Sequence, residues 1–294
     1  MLYRASHITR YYYADAVATC HNEVRLRPRS APYQKVQSFR LAVSPAADSS
    51  ADRKDYFGNE VRYFCVLEAH AQLAITATSV VEVAKRELPE PLSTAPWESV
   101  RSHVREVTDV EALRAFEFTS ESPFVPVGQD LGEYARVSFA AERPVLEAAA
   151  DLSSRIHREF KYLPSSTTID TTVAEVFRSR QGVCQDFAHV MIAMLRSLGL
   201  PARYVSGYLR SGAQYTGAEA SHAWVSLFVP GSGWIDLDPT NNVLPRDGHI
   251  TLAWGRDYGD VTPVKGVTLG GGEHCVSVEV RVVPVEQQQS QAAH

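Results

Sequence analysis

Alternation of apolar and polar residues dominates the first 84 residues and predicts a region made of β-strands. Segments that alternate in this way, rich in Val, Tyr and Thr, occupy residues 8–26, 37–45, 55–68 and 70–84. A two-residue period is the pattern of a strand with one buried face. The Gly58-Asn59 pair interrupts the third segment and indicates a hairpin turn. We therefore expect residues 1–84 to form a small antiparallel, sandwich-like β domain.

A proline-rich stretch and then a helical period follow. Prolines within residues 85–97 indicate a linker, and residues 98–142 give mixed signals. Residues 142–163 carry apolar side chains at helical spacing, and Thr and Asp caps predict a second, shorter helix that ends near Gln181.

A third helix is predicted to begin at Cys184 and to end at Gly199, two residues before Pro201. Its apolar face comprises Phe187, Met191, Met194, Leu195 and Leu198. After this helix the period changes to two, over residues 202–210, 221–229, 233–238 and 274–286. Helices followed by antiparallel strands predict an α+β core over residues 98–286. The tail, residues 287–294, is expected to be disordered.

Composition narrows the class of protein. The chain has 294 residues and a net charge of −5, so it offers no basic field for a nucleic acid or an anionic membrane. The first residues lack the apolar run of a signal peptide, and no uninterrupted apolar stretch has transmembrane length. We expect a cytoplasmic protein with reduced thiols, with neither nucleic acid nor membrane as a partner.

Four widely spaced cysteines are too few for a disulfide framework, and no CxxC pair indicates zinc. Cys20, Cys65 and Cys275 lie in strand-like segments and are expected to be small buried apolar residues. Because metal-ligating residues are not clustered in the sequence, neither a metal nor a cofactor is expected.

Cys184 differs from the other three cysteines because it begins a helix. Unpaired N–H groups and the positive end of the helix dipole favour a thiolate over a thiol. The same N–H groups, including that of Cys184, can stabilise an oxyanion on a substrate carbonyl. Taken without any partner residue, the position of Cys184 fits either a buried packing side chain or a reactive nucleophile.

The segment SHAWVSLFVPGSGWIDLDPT supplies two partners for a reactive thiol. His222 opens one predicted strand and Asp238 closes the next, with a hairpin at residues 230–233 between them. The far ends of two antiparallel neighbours lie side by side, so an imidazole and a carboxylate can meet there. A carboxylate that fixes the imidazole tautomer, and an imidazole that faces a thiol, activate a nucleophile. Asp236 lies on the same strand face and competes for the role of Asp238.

Three ordered blocks, GVCQDFAHVMIAMLRSLGLPARYVSGYL, SHAW and GWIDLDPTNN, resemble those of the transglutaminase-like superfamily. The similarity extends to FKYLPSSTTIDTT and GRDYGDVTPVKGV, and HNEVRLRPR and DYFGN resemble the β domain of bacterial members. The resemblance implies a papain-like core, in which a helix bundle packs on an antiparallel sheet. It also implies Cys184 as nucleophile, His222 as general base and then acid, and Asp238 as the group that orients His222.

Several further residues are candidates for the cleft. Tyr162 is a candidate for shaping the oxyanion site or for the core, and Trp224 and Trp234 for walls of the cleft or core. The resemblance places Arg256, Asp257, Tyr258 and Asp260 near the cleft, although surface pairing would explain them equally. His189 is expected in the core or on the surface. Asp186 is expected to be a favourable negative charge in the first turn of its helix.

The resemblance implies acyl transfer through a Cys184 thioester. Water as acceptor gives a cysteine peptidase or amidase, which we expect for a peptide or protein substrate. An amine acceptor gives a transglutaminase instead, and a non-catalytic protein-binding module on the same fold is the third alternative. No EF-hand-like calcium loop is present in the sequence. The β domain is expected either to position substrates or to mediate homo-oligomer formation.

Overall fold

A computed structural model describes residues 1–107, 109–164, 166–212 and 214–285. The tail for which disorder was predicted, residues 287–294, lies outside these ranges. The strands are β1 (Leu2–Val24), β2 (Gln34–Ser44), β3 (Ser49–Lys54), β4 (Glu60–Val66), β5 (His70–Val83), β6 (Lys161–Tyr162), β7 (Gln181–Gly182), β8 (Ala202–Leu209), β9 (His222–Val229), β10 (Gly233–Leu237), β11 (His249–Gly255), β12 (Val264–Gly270) and β13 (His274–Pro284).

The helices account for most of the chain between the two sheets. They are α1 (Trp97–Glu106), α2 (Val110–Phe116), α3 (Gln129–Arg136), α4 (Val145–Glu159), α5 (Val173–Ser179), α6 (Cys184–Ser197) and α7 (Tyr258–Val261). The predicted α+β class is confirmed, and α4, α5 and α6 correspond to the three helices expected from the sequence. The segment with mixed signals folds into the short helices α1, α2 and α3. None of the helices among the described residues has both the length and the apolar composition needed to cross a bilayer.

One curled antiparallel sheet of seven strands forms the N-terminal region. Its central strand is β1, whose first part pairs with β5 and β13 and whose last part pairs with β4 and β12. Apolar side chains fill the concave side, among them Val17, Cys20, Leu26, Phe64 and Ile75. The hairpin predicted at Gly58-Asn59 is present, because β3 and β4 pair across it and Gly58 adopts a φ of +73°.

The last two strands pair differently from the sequence-based division of the chain. Strands β12 and β13 fall within residues 98–286, which were assigned to the core, yet both pair with β1 of the N-terminal sheet. An alternating pattern tells which face of a strand is buried but not which distant strand is its neighbour. The N-terminal sheet is therefore completed by the C-terminal end of the described chain.

The second sheet has four strands in the order β10-β9-β8-β11, and α6 packs on one face of it. Twelve of the fourteen residues of α6 are buried, as expected for a helix surrounded by other elements. Arg196 near its end is also buried, and its guanidinium donates to the carbonyls of Phe118, Ala202 and Arg256. One side chain thus ties α6 to β8 and to the end of β11.

The opposite face of the four-stranded sheet packs on the N-terminal sheet. Their shared core comprises Tyr3, Ala5, Val81, Val83, Tyr208, Ile250, Leu252, Val280 and Val282. Because β13 contributes Val280 and Val282, the C-terminal strand bridges the two sheets. This contact fixes the position of β8 and β11, which lie beneath the candidate site.

The cysteines follow the predicted burial with one exception. Cys20 and Cys65 are buried, as expected, but the prediction for Cys275 is wrong because its side chain is exposed. Cys275 lies in the first half of β13, an outer strand whose initial side chains all face solvent. Strand periodicity alone does not reveal that neither face of this half is covered.

We expect β13 to stabilise the protein through the interface between the sheets. Val282→Ala removes a fully buried side chain and should lower the free energy of unfolding by about 2 kcal/mol. Val278→Ala, on the same strand but 42% exposed, is the matched control and should cost less than about 0.5 kcal/mol. Urea denaturation measures both values. Equal costs would contradict a bridging role for β13.

Candidate active site

The chain enters helix α6 through a tight turn that positions Cys184. Strand β7 pairs with β6, and Asp186 accepts a hydrogen bond from the Val183 N–H at 2.8 Å. A Cβ on Gly182 would lie 2.7 Å from the Asp186 carboxylate, so only glycine fits there. The Cys184 side chain lies in the first turn, where helix N–H groups lack intrahelical acceptors, and the residue is 8% exposed. The predicted helix start at Cys184 is confirmed.

His222 and Asp238 meet at the adjacent ends of β9 and β10. The His222 Nε2 atom lies 2.9 Å from Asp238 Oδ2, and both side chains are completely buried. A carboxylate can only accept in this bond, so Nε2 carries the proton. Nδ1 has no partner with full hydrogen-bond geometry among the described residues, but the Cys184 side chain lies near enough to His222 to raise its pKa. Nδ1 is the ring nitrogen left to exchange a proton with a thiol.

Asp238 accepts hydrogen bonds from five donors. Its Oδ1 atom accepts from the backbone N–H groups of Thr240 and Asn241, at 3.0 and 3.1 Å. Its Oδ2 atom accepts from His222, from Asn241 Nδ2 at 2.8 Å and from His249 Nε2 at 3.1 Å. Burial would raise the pKa of Asp238, but the charge of His222 and these hydrogen bonds hold it below its ordinary range. Asp238 is therefore ionised.

His249 was not expected from the sequence. It begins β11 and donates to the same Oδ2 atom as His222, while burial lowers its pKa, so it is a neutral donor at pH 7. The position resembles that of His222, a histidine at the start of a buried strand, and this is the signal that could have identified it. His222, Asp238 and His249 could hold a metal ion. Both ring nitrogens would first have to lose the protons that they donate to Asp238.

The surroundings of His222 favour the imidazolium form. Burial alone would lower its pKa, but the charges of Asp238 and Cys184 and the hydrogen bond to Asp238 raise it to about 10. His222 is therefore protonated at neutral pH when the thiol partner is ionised. Its contribution to folding stability is complete below 6.5, its ordinary value, and is lost as the pH rises through about 10.

A surface loop covers Nδ1 of His222. Asn241 holds this loop, because its Oδ1 atom accepts from the Thr216 N–H at 2.7 Å. A Cβ added to Gly217 would lie 3.2 Å from His222 Nδ1 and 3.4 Å from the Tyr162 hydroxyl oxygen. Gly217 therefore lies directly against the reactive side of the imidazole, where a larger residue would crowd it.

Tyr162 is the cleft candidate that lies beside the reactive groups. It pairs through β6 with Gly182, two residues before Cys184. Burial, followed by the charges of Cys184 and Asp186, raises the pKa of Tyr162 to about 12. Its hydroxyl keeps its proton at neutral pH and can donate a hydrogen bond to a developing oxyanion.

Trp224 forms the floor under the histidines. Its ring lies 5.1 Å from His249 and 6.2 Å from His222, centroid to centroid, and its Nε1–H donates to Asp236 at 3.0 Å. Asp236 also accepts from Arg86 at 2.6 Å. The structure thus brings Asp238 to His222 and uses Asp236 to hold the tryptophan beneath it.

Asp257 and Tyr258 make their hydrogen bonds away from His222 and Asp238. Asp257 caps the start of α7 and accepts from the N–H groups of Phe124 and Gly259. The Tyr258 N–H donates to Nε2 of buried His189, whose ring stacks on Phe124. These residues fix the loop after β11 against α6. Sequence position alone could not separate this packing role from a place in the cleft.

The remaining polar candidates also have assigned partners. Asp186 accepts from Thr167 as well as from Val183, so its carboxylate is directed at the helix start. Arg256 forms an ion pair with Asp260 at 2.9 Å. Trp234 lies on the face of the four-stranded sheet opposite to α6, the face that also carries Trp224, but it packs against Phe118 and Phe228.

Comparison with known families supports the arrangement of two regions. The bacterial transglutaminase-like N-terminal region matches residues 3–82, and the transglutaminase-like superfamily matches residues 133–239. These matches confirm the resemblance expected from the three sequence blocks. They cover the first strands of the N-terminal sheet and the segment that carries Cys184, His222 and Asp238.

Individual proteins resemble the chain along most of its length. An uncharacterized protein of Mycobacterium tuberculosis (strain H37Rv) is 39% identical over 97% of this chain and 93% of its own. A protein-glutamine gamma-glutamyltransferase of Pseudomonas aeruginosa is 35% identical, but over 36% of this chain and 17% of its own. The crystal structure of a "putative cysteine protease" from Cytophaga hutchinsonii has a TM-score of 0.77, with 20% identity over 99% of this chain and 92% of its own. It shares the fold.

Removing the charge of Asp238 should lower the pKa of His222. In Asp238→Asn, NMR titration of the labelled imidazole should place its midpoint more than about one unit below the wild-type value, a change of about 1.4 kcal/mol. Asp236→Asn is the matched control, since that carboxylate contacts Trp224 and Arg86 instead. Equal shifts in the two variants would contradict the assignment of Asp238 as the partner of His222.

Adding a methyl group at Gly217 should disturb the imidazole. Gly217→Ala places a Cβ against His222 Nδ1 and should shift the ring ¹⁵N resonances and slow alkylation of Cys184 severalfold. Gly231→Ala is the control, because Gly231 has a similar φ of +77° and open space around it. Both variants should lose about 1–2 kcal/mol of stability from left-handed backbone strain. An unchanged His222 spectrum in Gly217→Ala would contradict the position of the loop.

Proposed function

Because the chain belongs to the transglutaminase-like superfamily, we propose that it transfers acyl groups through a thioester on Cys184 and hydrolyses a peptide or amide bond. The observation that carries the proposal is the buried Asp238–His222 pair, whose free Nδ1 atom faces the side of Cys184 and Tyr162. A core of this type is found in cysteine-dependent enzymes. The reaction and its peptide or protein substrate are proposals.

In the first half-reaction the Cys184 thiolate attacks the carbonyl carbon of the amide. The carbonyl oxygen becomes an oxyanion, to which the Cys184 N–H and the Tyr162 hydroxyl can donate. The His222 imidazolium gives its Nδ1 proton to the leaving nitrogen, the C–N bond breaks, and a thioester and an amine result. Asp238 keeps the proton on Nε2 throughout, so the ring presents Nδ1 to the reaction.

In the second half-reaction neutral His222 removes a proton from the acceptor. Hydroxide so generated attacks the thioester, the C–S bond breaks, and the carboxylic acid leaves while the thiolate–imidazolium pair is restored. An amine acceptor would follow the same path and give a new amide. The gamma-glutamyltransferase of Pseudomonas aeruginosa, similar over 36% of this chain, favours this second candidate. We favour hydrolysis because water is the acceptor at highest concentration.

The two reactions predict different products from one experiment. A mixture of peptide amides, including glutaminyl peptides, incubated with the protein should yield free carboxylic acids that mass spectrometry detects. With putrescine added, a hydrolase should still yield mainly acids, whereas a transglutaminase should yield the putrescine adducts. Putrescine adducts as the main product would contradict hydrolysis and support the transglutaminase reaction.

Removing the nucleophile should abolish turnover. Cys184→Ser should lower activity by at least about 1000-fold, because a serine hydroxyl is far from ionised at neutral pH. Cys65→Ser is the matched control, since Cys65 is buried in β4 of the N-terminal sheet, and should retain activity. Turnover that survives in Cys184→Ser, or a wild-type protein that binds peptides without converting them, would contradict the thioester mechanism.

A further inference from the structure

A large cavity lies on the side of the four-stranded sheet opposite to α6. Its volume is about 1060 Å³, and it is bounded by the N-terminal sheet, the segment after β5, helix α2 and the outer ends of β8 and β10. Its aromatic lining consists of Tyr33, Tyr56, Phe57, Phe118, Trp234 and Trp254. Arg203 also lines it, and lies four residues along β8 from Gly207, the partner of His222. At 3.3 Å per residue the Cα atoms of Arg203 and Gly207 are about 13 Å apart.

Arg203 is buried in this lining without a hydrogen-bond acceptor. Its guanidinium lies between two indole rings, 4.2 Å from the centroid of Trp234 and 3.9 Å from that of Trp254. The residue is 8% exposed, and its Nε atom is buried without a hydrogen-bond partner among the described residues. Burial lowers the pKa of Arg203 to about 10, so it is charged at neutral pH. A buried charged donor without an acceptor is costly.

Nearby carboxylates do not supply the hydrogen-bond acceptor that Arg203 lacks. Among nearby charges, that of buried Asp236 raises the pKa of Arg203 most. Asp236, however, accepts its hydrogen bonds from Arg86 and Trp224. Arg86 also lines the cavity, stacks on Tyr33, and keeps its Nε and Nη2 atoms unpaired. One buried carboxylate therefore serves two guanidinium groups. Arg86, Arg203 and Asp236 together carry a net charge of one positive unit at the cavity wall.

We propose that this cavity is a binding site for a small organic carboxylate, distinct from the Cys184 centre. The carboxylate would accept the free N–H donors of Arg203, whose planar group matches it in a bidentate arrangement. The apolar part of the ligand would lie against Trp234, Phe57 and Phe118. Glu87 and Glu117 at the lining are balanced by Lys85 and Arg114, so the buried groups leave one net positive charge, which suits a ligand with a single carboxylate. The site requires neither a metal nor the thiol.

The test uses two probes that differ only in charge. N-acetyl-L-phenylalanine should quench or shift the fluorescence of the cavity tryptophans and bind in calorimetry, and its neutral amide should bind at least tenfold more weakly. Phenyl phosphate, a dianion, should also bind more weakly than the carboxylate. Protein alkylated at Cys184 with iodoacetamide, whose catalytic cleft is blocked, should bind the carboxylate as the unmodified protein does, which separates this site from the proposed catalytic centre.

Arg203→Met keeps the buried stem but removes the charge, and it should abolish the preference for the carboxylate over the amide. Arg114→Ala, at an exposed position of the same lining, is the control and should change affinity less than about threefold. If Arg203→Met does not fold, the comparison of acid and amide on the wild type decides alone. Equal binding of the two probes, tighter binding of phenyl phosphate, or no binding of the acid at about 10 mM would overturn the proposal.

Discussion

The candidate site depends on one buried carboxylate. Asp238 has no exposed side-chain surface, and an ion in such a position costs several kcal/mol unless its oxygens are fully hydrogen-bonded. Five donors from His222, Thr240, Asn241 and His249 meet this requirement. The same bonds join the start of β9, the turn after β10 and the start of β11. The carboxylate therefore fixes the backbone of the site as well as the tautomer of His222.

The N-terminal sheet supports this site from a distance. Its outer strand β13 holds the loop that covers His222, since Ser211 and Val282 exchange two hydrogen bonds and the Val280 N–H donates to the Glu219 carbonyl. Gly217, within the same loop, lies against Nδ1 of His222. A strand that completes the N-terminal sheet thus also secures one wall of the site. The β region is part of the structure that shapes the site, in addition to any role in binding partners.

Local pattern was sufficient to predict the elements that carry the candidate chemistry. Cys184 at a helix start, and His222 and Asp238 at neighbouring strand ends, follow from periodicity and from the geometry of an antiparallel hairpin. The pairing of β12 and β13 with β1 could not be predicted in this way, because it joins residues at least 240 positions apart. The alternation of apolar and polar residues within one strand does not indicate which distant strand pairs with it.

Hydrogen bonds between side chains that only tertiary packing brings together could not be predicted from the sequence either. His249 reaches Asp238 only because β11 lies beside β8, and Arg86, from the predicted linker, reaches Asp236 across the sheet edge. Helices α1, α2 and α3 are only ten, seven and eight residues long, and helices this short are marginal without tertiary packing. Their place is set by packing against neighbours such as Ser197 of α6, which a Cβ on Gly132 would contact at 3.4 Å.

The most direct measurement is the rate of Cys184 alkylation by iodoacetamide as a function of pH, followed by peptide mass spectrometry. Free thiols lose reactivity below their ordinary pKa of about 8.5. Exposed Cys275 provides the reference in the same sample. We expect that Cys184 still reacts readily at pH 6, that its profile differs from that of Cys275, and that His222→Ala removes the difference. Parallel profiles for the two cysteines in the wild type would contradict an ion pair between Cys184 and His222.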